Sequence, residues 1–543
     1  MLSIPSPTPS LPSRRALTRL LSLLALAAAL AASGCGGGGD AATGPNPPPP
    51  GPEPAPGVAG PAWWGFGRDA QHTAVGAIAT QDLNRIAWST PVDLAPQYRG
   101  DGSLLIHYGS PVVTSRNTVI VPVKTGATGG FRFEARSGGN GGLIWSGDSD
   151  YRLPAHNWVP SYNLALDANN RLVAPGAGGK LFVRDNADAA TGTLQTAVFF
   201  GAATYAAAPA TYDATIFINT PLTVDTQGNV FFGFIATAAN PAGLFSGVAR
   251  IGANGDGRWV AAAAVANDVA ISKVAMNSAP ALSPDLATLY VVVNTARVAG
   301  QVQTGYLVAL DAATLAVRAR VPLLDPGSAG GTARAWISDD STASPTVGPD
   351  GNVYLGVLEN LFGSHNGRGW LLQFNAVLAS SGMPGGFGWD DTASVVPASM
   401  VASYRGASPY LLMVKYNNYL GAGTGDGDNR IAVIDPNALQ TDPISGLPIM
   451  REVLSIAGPT REAGSAVAVK EWCINTAAVD PLTQSILANS EDGYLYRWDL
   501  KTNTFTQRIQ LTSGIAEAYT PTAIGADGAV YAVNNAVLFS IGR

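Results

Sequence analysis

Cysteine is almost absent from this chain, since its 543 residues include only Cys35 and Cys473. A disulfide framework of the kind that holds many small exported domains together is therefore excluded. Charged residues are also scarce, at 13%, which is about half the usual share. Acidic residues outnumber basic ones by 38 to 32. Because nucleic-acid binders present a basic surface, this charge balance excludes that class of partner.

Common catalytic and nucleotide-binding motifs are missing as well. Gly178-Gly-Lys180 is followed by Leu181 rather than by Ser or Thr, so it is not a P-loop. The sequence contains no Gly-x-Ser-x-Gly elbow and no His-Glu-x-x-His motif. The histidines fall at no metal-ligand spacing, and they are His72, His107, His156 and His365.

What the chain does have is a short stretch that recurs along it. In the clearest copy, residues 519–533, a Thr-Pro pair opens one strand, Asp527-Gly528 makes a tight turn, and a second strand follows. Related pairs of strands occur eight times, and they begin near Ser110, Pro160, Asn219, Ser278, Ser344, Val396, Asn475 and Tyr519. A spacing of mostly about 45 to 65 residues is typical of propeller blades with loop insertions.

The repeat predicts an all-β fold, an eight-bladed β-propeller of four-stranded antiparallel blades. In the seventh unit the predicted strands are residues 476–479, 485–488, 494–498 and 504–511. The eighth unit supplies only three strands, at residues 520–524, 529–533 and 537–541. An additional strand at residues 86–90 has no blade of its own. We therefore expect this N-terminal strand to pair as the missing outer strand of blade eight and close the ring.

The N-terminus has the residue order of an export signal. Arg14, Arg15 and Arg19 precede an apolar run at residues 20–32 that is too short to span a bilayer. Ala32-Ser-Gly-Cys35 then resembles a bacterial lipoprotein signal. This resemblance implies a signal peptide at residues 1–34 and a lipid on Cys35 that anchors the exported protein to a membrane. Ordinary secretion, with Cys35 as a stray thiol, is the alternative.

Residues 35–60 are rich in glycine and proline and are predicted to be a tether, followed by the propeller at residues 61–543. By the same lipoprotein resemblance, Gly36 implies the outer membrane, on its periplasmic or surface face, if the source is Gram-negative. Removal of residues 1–34 takes away three arginines and no acid, so the exported protein is more acidic than the full chain.

A wider resemblance is carried by two segments before the first blade. Residues 63–72, Trp-Trp-Gly-Phe-Gly-Arg-Asp-Ala-Gln-His, and residues 83–89, Leu-Asn-Arg-Ile-Ala-Trp-Ser, resemble the opening of PQQ-like (quinoprotein-type) β-propellers. The chain also looks like the lipoprotein propeller of the outer-membrane β-barrel assembly machinery and like uncharacterised exported propellers. We expect residues 63–72 to be a structural lid on the ring rather than a site.

The PQQ enzymes of this family use a Ca²⁺ ion held by Glu, Asn and Asp, a Trp platform under the quinone, and a disulfide between adjacent cysteines. This chain has no adjacent cysteines and no Cys-x-x-Cys-His haem site. A fold can be inherited without its chemistry, so no PQQ and no other cofactor is expected. A divalent cation such as Ca²⁺ stays open as an alternative.

Residues just before the inner strand of each blade lie at one mouth of a propeller's channel. Here they are rich in acids, histidines and aromatics, and the candidate ligand-binding residues are His107, His156, Trp158, Asn277, Asp339, Asp340, Asp390, Asp391, Glu471, Trp472, Glu517 and Tyr519. Polar and aromatic groups that converge at a concave mouth indicate a binding site. The alternative is that these groups hydrogen-bond from blade to blade.

These observations favour a lipid-anchored binding or scaffold module of the bacterial envelope, with an envelope protein or a small molecule as its ligand. An enzyme that uses the funnel, as a divergent quinoprotein dehydrogenase or a metal-assisted hydrolase, is the rival interpretation. The six acids at the mouth, Asp339, Asp340, Asp390, Asp391, Glu471 and Glu517, are expected to gather. Their repulsion would then call for a cation or for a partner that presents Lys or Arg.

The lipid anchor is directly testable through Cys35. Replacement Cys35→Ser removes the thiol that would be acylated, so the variant should move from the membrane to the soluble fraction after cell lysis. Fractionation followed by immunoblotting measures the change. A variant that still sediments with membranes would show that Cys35 carries no anchor.

Overall fold

The computed structural model describes residues 60–98, 100, 104, 108–155, 162–341, 343–360, 368–379, 381–418, 420, 425–514 and 518–543. Eight antiparallel sheets follow one another along these residues, and they form an eight-bladed β-propeller. The predicted fold class is therefore confirmed. Among the described residues, no helix has both the length and the apolar character that a membrane span requires.

The first four blades are regular apart from one extra short strand each in blades three and four. From the inner to the outer strand, blade one contains Val112–Val113, Thr118–Gly126, Gly129–Ser137 and Leu143–Ser149. Blade two contains Ala165–Leu166, Leu172–Pro175, Lys180–Arg184 and Leu194–Val198. Blade three contains Thr223–Val224, Val230–Ala236, Gly247–Ile251 and Gly257–Ala261, with Ile216–Ile218 beside the second strand. Blade four contains Ala281–Leu282, Thr288–Thr295, Gly305–Asp311 and Val317–Pro322, with Ile271–Val274 beside its second strand.

The remaining blades complete the ring. Blade five contains Thr346–Val347, Val353–Val357 and Trp370–Phe374. Blade six contains Ser394–Pro397, Tyr410–Tyr416, Arg430–Thr441 and Pro448–Ala457. Blade seven contains Ala478–Asp480, Ser485–Asn489, Tyr494–Asp499 and Thr504–Gln510. Blade eight contains Ala523–Ile524, Val530–Asn534, Val537–Gly542 and the N-terminal strand Arg85–Pro91. Helices are short, and they are Ala202–Ala207, Pro209–Thr215 and Ala262–Ala266, with 3₁₀ turns at Ala177–Gly179, Ala329–Gly331 and Ala398–Met400.

Blade five departs from the predicted four-strand pattern. Where the outer strand would run, the described residues make two isolated bridges, Phe374 to Ser381 and Leu371 to Gly385. Pro384 lies in this segment beside Gly382 and Gly385. Proline offers no N–H to a ladder and glycine weakens a strand, which explains the loss of regular pairing.

The Ser and Thr residues that open the repeats connect neighbouring blades. The hydroxyl of Thr346 donates to the carbonyl oxygen of Ala393 at 2.8 Å, and that of Ser394 donates to Ala477 at 2.7 Å. Thr520 donates to the carbonyl oxygen of Tyr108 at 2.8 Å. This last bond joins blade eight to the segment before blade one. The recurrent hydroxylated residue is therefore a contact between blades as well as the start of a strand.

Residues 63–76, called the plug below, run along the inner strands. Backbone carbonyls of the plug accept hydrogen bonds from the second residue of six inner strands, at distances from 2.7 to 3.0 Å. The pairs are Trp63 with Val113, Trp64 with Leu166, Ala70 with Leu282, Gln71 with Val347, Thr73 with Val395, and Ala74 with Val479. Inner strands present an unpaired edge to the channel, and the plug satisfies it. The predicted structural role of residues 63–72 is confirmed.

The end of the plug fits too closely for a larger residue. A Cβ atom on Gly76 would lie 2.7 Å from the side chain of Ile524 and 3.3 Å from the carbonyl oxygen of Val479. The backbone N–H of Gly76 also donates to that carbonyl oxygen at 2.7 Å. The plug therefore contacts blades seven and eight through a backbone that only glycine leaves uncrowded.

Arg85–Pro91 then pairs antiparallel with Val537–Gly542 as the outer strand of blade eight. The predicted closure of the ring by an N-terminal strand is confirmed. Trp88 in this strand is buried, and its indole Nε1 donates to the carbonyl oxygen of Gly138 in blade one at 2.8 Å. The same ring lies 5.8 Å from the ring of Tyr531, centre to centre, in blade eight. Trp88 thus fastens the last blade to the first.

Truncation of Trp88 should weaken the closure. Trp88→Ala removes a buried indole and is expected to lower the free energy of unfolding by about 3–5 kcal/mol. Ile86→Ala is the matched control, because Ile86 lies in the same strand and is 36% exposed. Thermal and urea unfolding measure both variants. An equal decrease in the free energy of unfolding for Trp88→Ala and Ile86→Ala would contradict the proposed role of Trp88 in closing the ring.

His72 gives the plug a pH dependence. The side chain is fully buried and its Nδ1 lies 2.7 Å from the carbonyl oxygen of Pro345. Burial lowers the pKa of His72 from 6.5 to about 4, although the bond to Pro345 and the charge of Asp69 act in the opposite direction. The imidazole is therefore neutral in the folded protein, and its Nδ1–H donates to Pro345.

This pKa difference predicts a loss of stability in acid. Below 6.5 the unfolded chain binds a proton at His72 that the folded protein does not bind until about pH 4. The contribution is complete above pH 6.5 and falls as the pH decreases to about 4, by about 3 kcal/mol in total. His72→Asn keeps a donor near Nδ1 and tolerates the left-handed backbone, φ 61°. Urea titrations at several pH values across this range give the free energy of unfolding as a function of pH. This free energy should depend less steeply on pH in the variant than in the wild type, and equal pH dependences would contradict the assignment.

Candidate functional site

The candidate residues lie at the start of the inner strands. Because the second residue of six inner strands meets the plug, the segments before these strands lie at one end of the ring. This end is called the mouth below. His107, His156, Trp158, Glu517 and Cys35 fall outside the described residues. The eight described candidates are Asn277, Asp339, Asp340, Asp390, Asp391, Glu471, Trp472 and Tyr519.

Asp339 is neutralised by groups of its own chain. Lys273 donates to its Oδ1 at 2.6 Å, and Asn294 donates to the same oxygen at 3.1 Å. Gln303 donates to Oδ2 at 3.0 Å. Burial lowers the pKa of Lys273 although Asp339 acts against this shift. Asp340 pairs with Arg297 at 3.0 Å near the surface. For these two acids no external cation or partner base is needed, because Lys273 in strand Ile271–Val274 and Arg297 in the loop after Thr288–Thr295 lie beside them.

Asn277 and Asp390 take part in bonds between blades. The backbone N–H of Asn277 donates to the carbonyl oxygen of Asn219 at 2.9 Å. Asn475 donates through Nδ2 to the carbonyl oxygen of Asp390 at 3.2 Å. Asn277 and Asp390 also have left-handed backbones, with φ of 59° and 58°. Both bonds use backbone groups, so they connect the blades at these positions, while the part of the two side chains in ligand binding stays a prediction.

Trp472 belongs to the core rather than to a ligand surface. Its ring is fully buried, 5.6 Å from the ring of Tyr496 and 5.8 Å from that of Phe505, centre to centre. Its backbone N–H donates to Oδ1 of Asn417 at 2.9 Å, and Asn417 Nδ2 donates back to its carbonyl oxygen at 3.3 Å. Its ring therefore packs in the core, and a part of Trp472 in ligand binding stays a prediction. A tryptophan next to an inner strand packs between blades when its neighbours point toward the mouth.

Asp391 and Lys415 are the most unusual pair at the mouth. Both are buried, with 2% and 0% of their surface exposed. Asp391 Oδ2 and Lys415 Nζ have no hydrogen-bond partner among the described residues. Burial raises the pKa of Asp391 well above its ordinary value, while the charge of Lys415 lowers it. Buried polar groups without partners are costly, so this pair is suited to a group that supplies the missing bonds.

Aromatic rings surround the ammonium group of Lys415. Its Nζ lies 4.8 Å from the ring centre of Tyr519 and 5.9 Å from that of Phe387. Lys415 belongs to blade six, whereas Tyr519 precedes the inner strand of blade eight. A contact between these two blades places the ammonium group near the axis of the ring. Tyr519 therefore lies beside Lys415, and its part in ligand binding stays a prediction.

A second cluster lies in blade seven. Cys473 Sγ donates to Glu491 Oε2 at 3.1 Å. Ligand atoms of Glu471, Cys473 and Glu491 lie within 4.8 Å of one another, and no other set of three potential metal ligands is this close in the described part of the chain. Burial, and after it the charge of Glu471, raise the pKa of Glu491 to about 8. Lys470 Nζ lies 3.9 Å from Glu491 Oε1 and opposes this shift.

Two residues of these clusters were missed by the sequence reasoning. Lys415 lies in the apolar strand Tyr410–Tyr416, where a single lysine in a buried run is the available signal. Glu491 lies in the turn after Ser485–Asn489 and was not among the candidate residues. Its role depends on contacts with Glu471 and Cys473, which the sequence order does not show.

The described acids do not form one cluster. Asp339 and Asp340 have bases beside them, Asp391 faces Lys415, and Glu471 lies beside Cys473 and Glu491. The disulfide and the Trp platform that the quinoprotein resemblance implies are also not reproduced. The sequence has no adjacent cysteines, and the ring of Trp472 packs against Tyr496 in the core. These residues therefore do not fit a quinone held between a disulfide and a Trp472 platform.

Comparisons with known proteins identify the architecture. No family model matches the chain, and no curated protein matches it. Among solved structures, a europium-containing methanol dehydrogenase is 12% identical with a TM-score of 0.52, covering 87% of this chain and 89% of that one. At this identity the likeness supports the propeller fold alone.

Two other solved structures match with lower scores. BamB from Moraxella catarrhalis is 12% identical with a TM-score of 0.41, covering 84% of this chain and 99% of that one. Quinohemoprotein alcohol dehydrogenase from Comamonas testosteroni is 11% identical with a TM-score of 0.39, covering 87% and 70%.

Proposed function

We propose that this protein is a binding module of the bacterial envelope, lipid-anchored through Cys35, and that its ligand is an acidic small molecule or an acidic group of an envelope protein. The ligand would bind at the mouth, against Asp391, Lys415 and Tyr519. The observation that carries the proposal is the buried Lys415 ammonium group, which has no hydrogen-bond partner among the described residues.

Lys415 and Asp391 have complementary roles toward an anion. Lys415 supplies a positive charge in a site of low dielectric constant, where Coulomb attraction is stronger than in water. The raised pKa of Asp391 keeps its carboxyl group protonated over a wider pH range. A protonated carboxyl group donates a hydrogen bond, so both groups favour a carboxylate or a similar oxyanion.

A purely structural role for this pair is less favourable. Buried ion pairs are often replaced by apolar residues at no loss of stability, and sometimes with a gain. Strand Tyr410–Tyr416 is otherwise apolar or aromatic, so an apolar residue at position 415 would suit the blade. A buried acid with a raised pKa beside a buried lysine is a candidate for function for this reason.

An enzyme at the same mouth is the second candidate. The raised pKa of Asp391 favours it, because a carboxyl group with a raised pKa can act as a general acid or base. The fold likeness to a methanol dehydrogenase is compatible with it. Absorbance spectra and metal analysis of the purified protein separate the two functions, since a bound quinone or a catalytic metal would favour the enzyme.

Lys415→Met tests the binding function. The probes are acetate, succinate, citrate and glutamate, added separately to the purified full-length chain. A ligand at a concentration of about 100 times its Kd stabilises the folded state by roughly 2.7 kcal/mol, which a thermal melt detects. The stabilisation should disappear in Lys415→Met, because the variant keeps the length of the side chain and loses its charge.

Arg297→Met is the matched control for charge. Arg297 is a base near the mouth, but its side chain is 52% exposed and it pairs with Asp340. This variant should keep the stabilisation by carboxylates. An equal response of wild type and Lys415→Met, or no response of wild type to any of the four probes, would overturn the proposed anion site.

A further inference from the structure

We infer that Glu471, Cys473 and Glu491 form a site for a divalent cation that favours thiolate ligands, with Zn²⁺ as the best match. The site lies in blade seven and does not depend on the proposed function of Lys415. It also differs from the Ca²⁺ expected as an alternative from the sequence, because one of its ligands is sulfur.

The three ligand atoms have the spacing that a metal site requires. They lie within 4.8 Å of one another, and Cys473 Sγ is 3.1 Å from Glu491 Oε2. In a tetrahedral zinc site, bond lengths of about 2.3 Å to sulfur and about 2.0 Å to oxygen place the ligands roughly 3.5 Å apart. Small side-chain rotations therefore bring these atoms around one ion.

One oxygen of the cluster lacks a partner. Glu471 Oε2 is buried and has no hydrogen-bond partner among the described residues. Its neighbours are a second carboxylate, Glu491, and the buried thiol of Cys473. Among the described residues, Lys470 is the base that forms an ion pair with this cluster, and its Nζ lies 3.9 Å from Glu491 Oε1, which is too far for a hydrogen bond. A cation would satisfy the buried oxygen and offset the repulsion between the carboxylates.

The fold holds the three ligands toward one another. Glu471 and Cys473 flank Trp472, and their ligand atoms lie within 4.8 Å of each other while the ring of Trp472 packs in the core. Two hydrogen bonds with Asn417 fix the backbone of Trp472. The third ligand, Glu491, lies in the turn between strands Ser485–Asn489 and Tyr494–Asp499 of the same blade.

That turn is itself tied down on its far side. Asp492 Oδ2 accepts hydrogen bonds from the hydroxyls of Thr460 and Tyr496, each at 2.6 Å. The backbone N–H of Tyr494 donates to Asp492 Oδ1 at 3.0 Å. Glu491 is therefore presented from a fixed backbone, and little conformational entropy remains to be lost when an ion binds.

The donor set selects the metal. Ca²⁺ and Mg²⁺ prefer six or more oxygen ligands, which this cluster does not offer. A thiolate with two carboxylates suits Zn²⁺ or Co²⁺, and three protein ligands leave a fourth position for water. Cys473 is 2% exposed, so its reactivity toward bulky oxidants is limited and a metal can reach it only as a small ion.

Cobalt provides a spectroscopic test of the sulfur ligand. The full-length chain with Cys35→Ser, which leaves Cys473 as its one thiol, is treated with a chelator and titrated with Co²⁺. Coordination by thiolate should give a near-ultraviolet charge-transfer band that saturates at one ion per chain. Zn²⁺ should remove the band by competition and raise the melting temperature, whereas Ca²⁺ should do neither.

Three substitutions complete the test. Cys473→Ser should abolish the band, and Glu491→Gln should weaken Zn²⁺ binding at least about tenfold. Glu491→Gln is close to isosteric, so it remains informative if Cys473→Ser folds poorly. Glu462→Gln removes a nearby acid that is not in the cluster, and it should bind Zn²⁺ like the parent. Absence of the band, stronger binding of Ca²⁺ than of Zn²⁺, or undiminished binding by Glu491→Gln would overturn the inference.

Discussion

The hydrogen bonds between the plug and the inner strands are the constraint on which the rest of the structure depends. Most inner strands are two residues long, and each turns a free backbone edge toward the channel. Such short strands are stable only when their edges are satisfied. Residues 63–76 satisfy six of them with backbone carbonyls, a contact that places little demand on side chains. The same part of the chain continues into Arg85–Pro91, so one stretch of residues bonds to six inner strands and closes the ring.

The inner strands themselves contact the plug, whereas the residues that precede them carry the polar side chains of the mouth. Around Gly76, the contacts of the plug leave no space for a larger side chain. Polar side chains before the inner strands have two fates. Asp339 is bound by Lys273 and Asn294 of blade four and stabilises the wall. Asp391 and Lys415 are buried without complete hydrogen bonding, and this difference separates candidates for function from structural residues.

The sequence was informative about the repeat and less informative about the site. Turn residues and alternating apolar runs are local signals, so eight blades and the closing strand could be predicted from the order of residues alone. Ion pairing is not local. Lys273 and Asp339 are 66 positions apart, and no spacing rule indicates that they meet. Lys415 was overlooked because a lysine in an apolar strand carries no motif, and its meaning depends on the ring of Tyr519 two blades away.

Asn417 connects the two clusters physically. It follows Lys415 by two residues and holds the backbone of Trp472, whose neighbours are Glu471 and Cys473. The end of one strand therefore positions both the buried ammonium group and two of the inferred metal ligands. Trp472 makes the arrangement rigid, because its ring is packed between blades and its backbone cannot shift without disturbing that core. Buried charges at this mouth are thus held in place by apolar packing behind them, and a preorganised group loses less entropy when a ligand binds than a mobile one does.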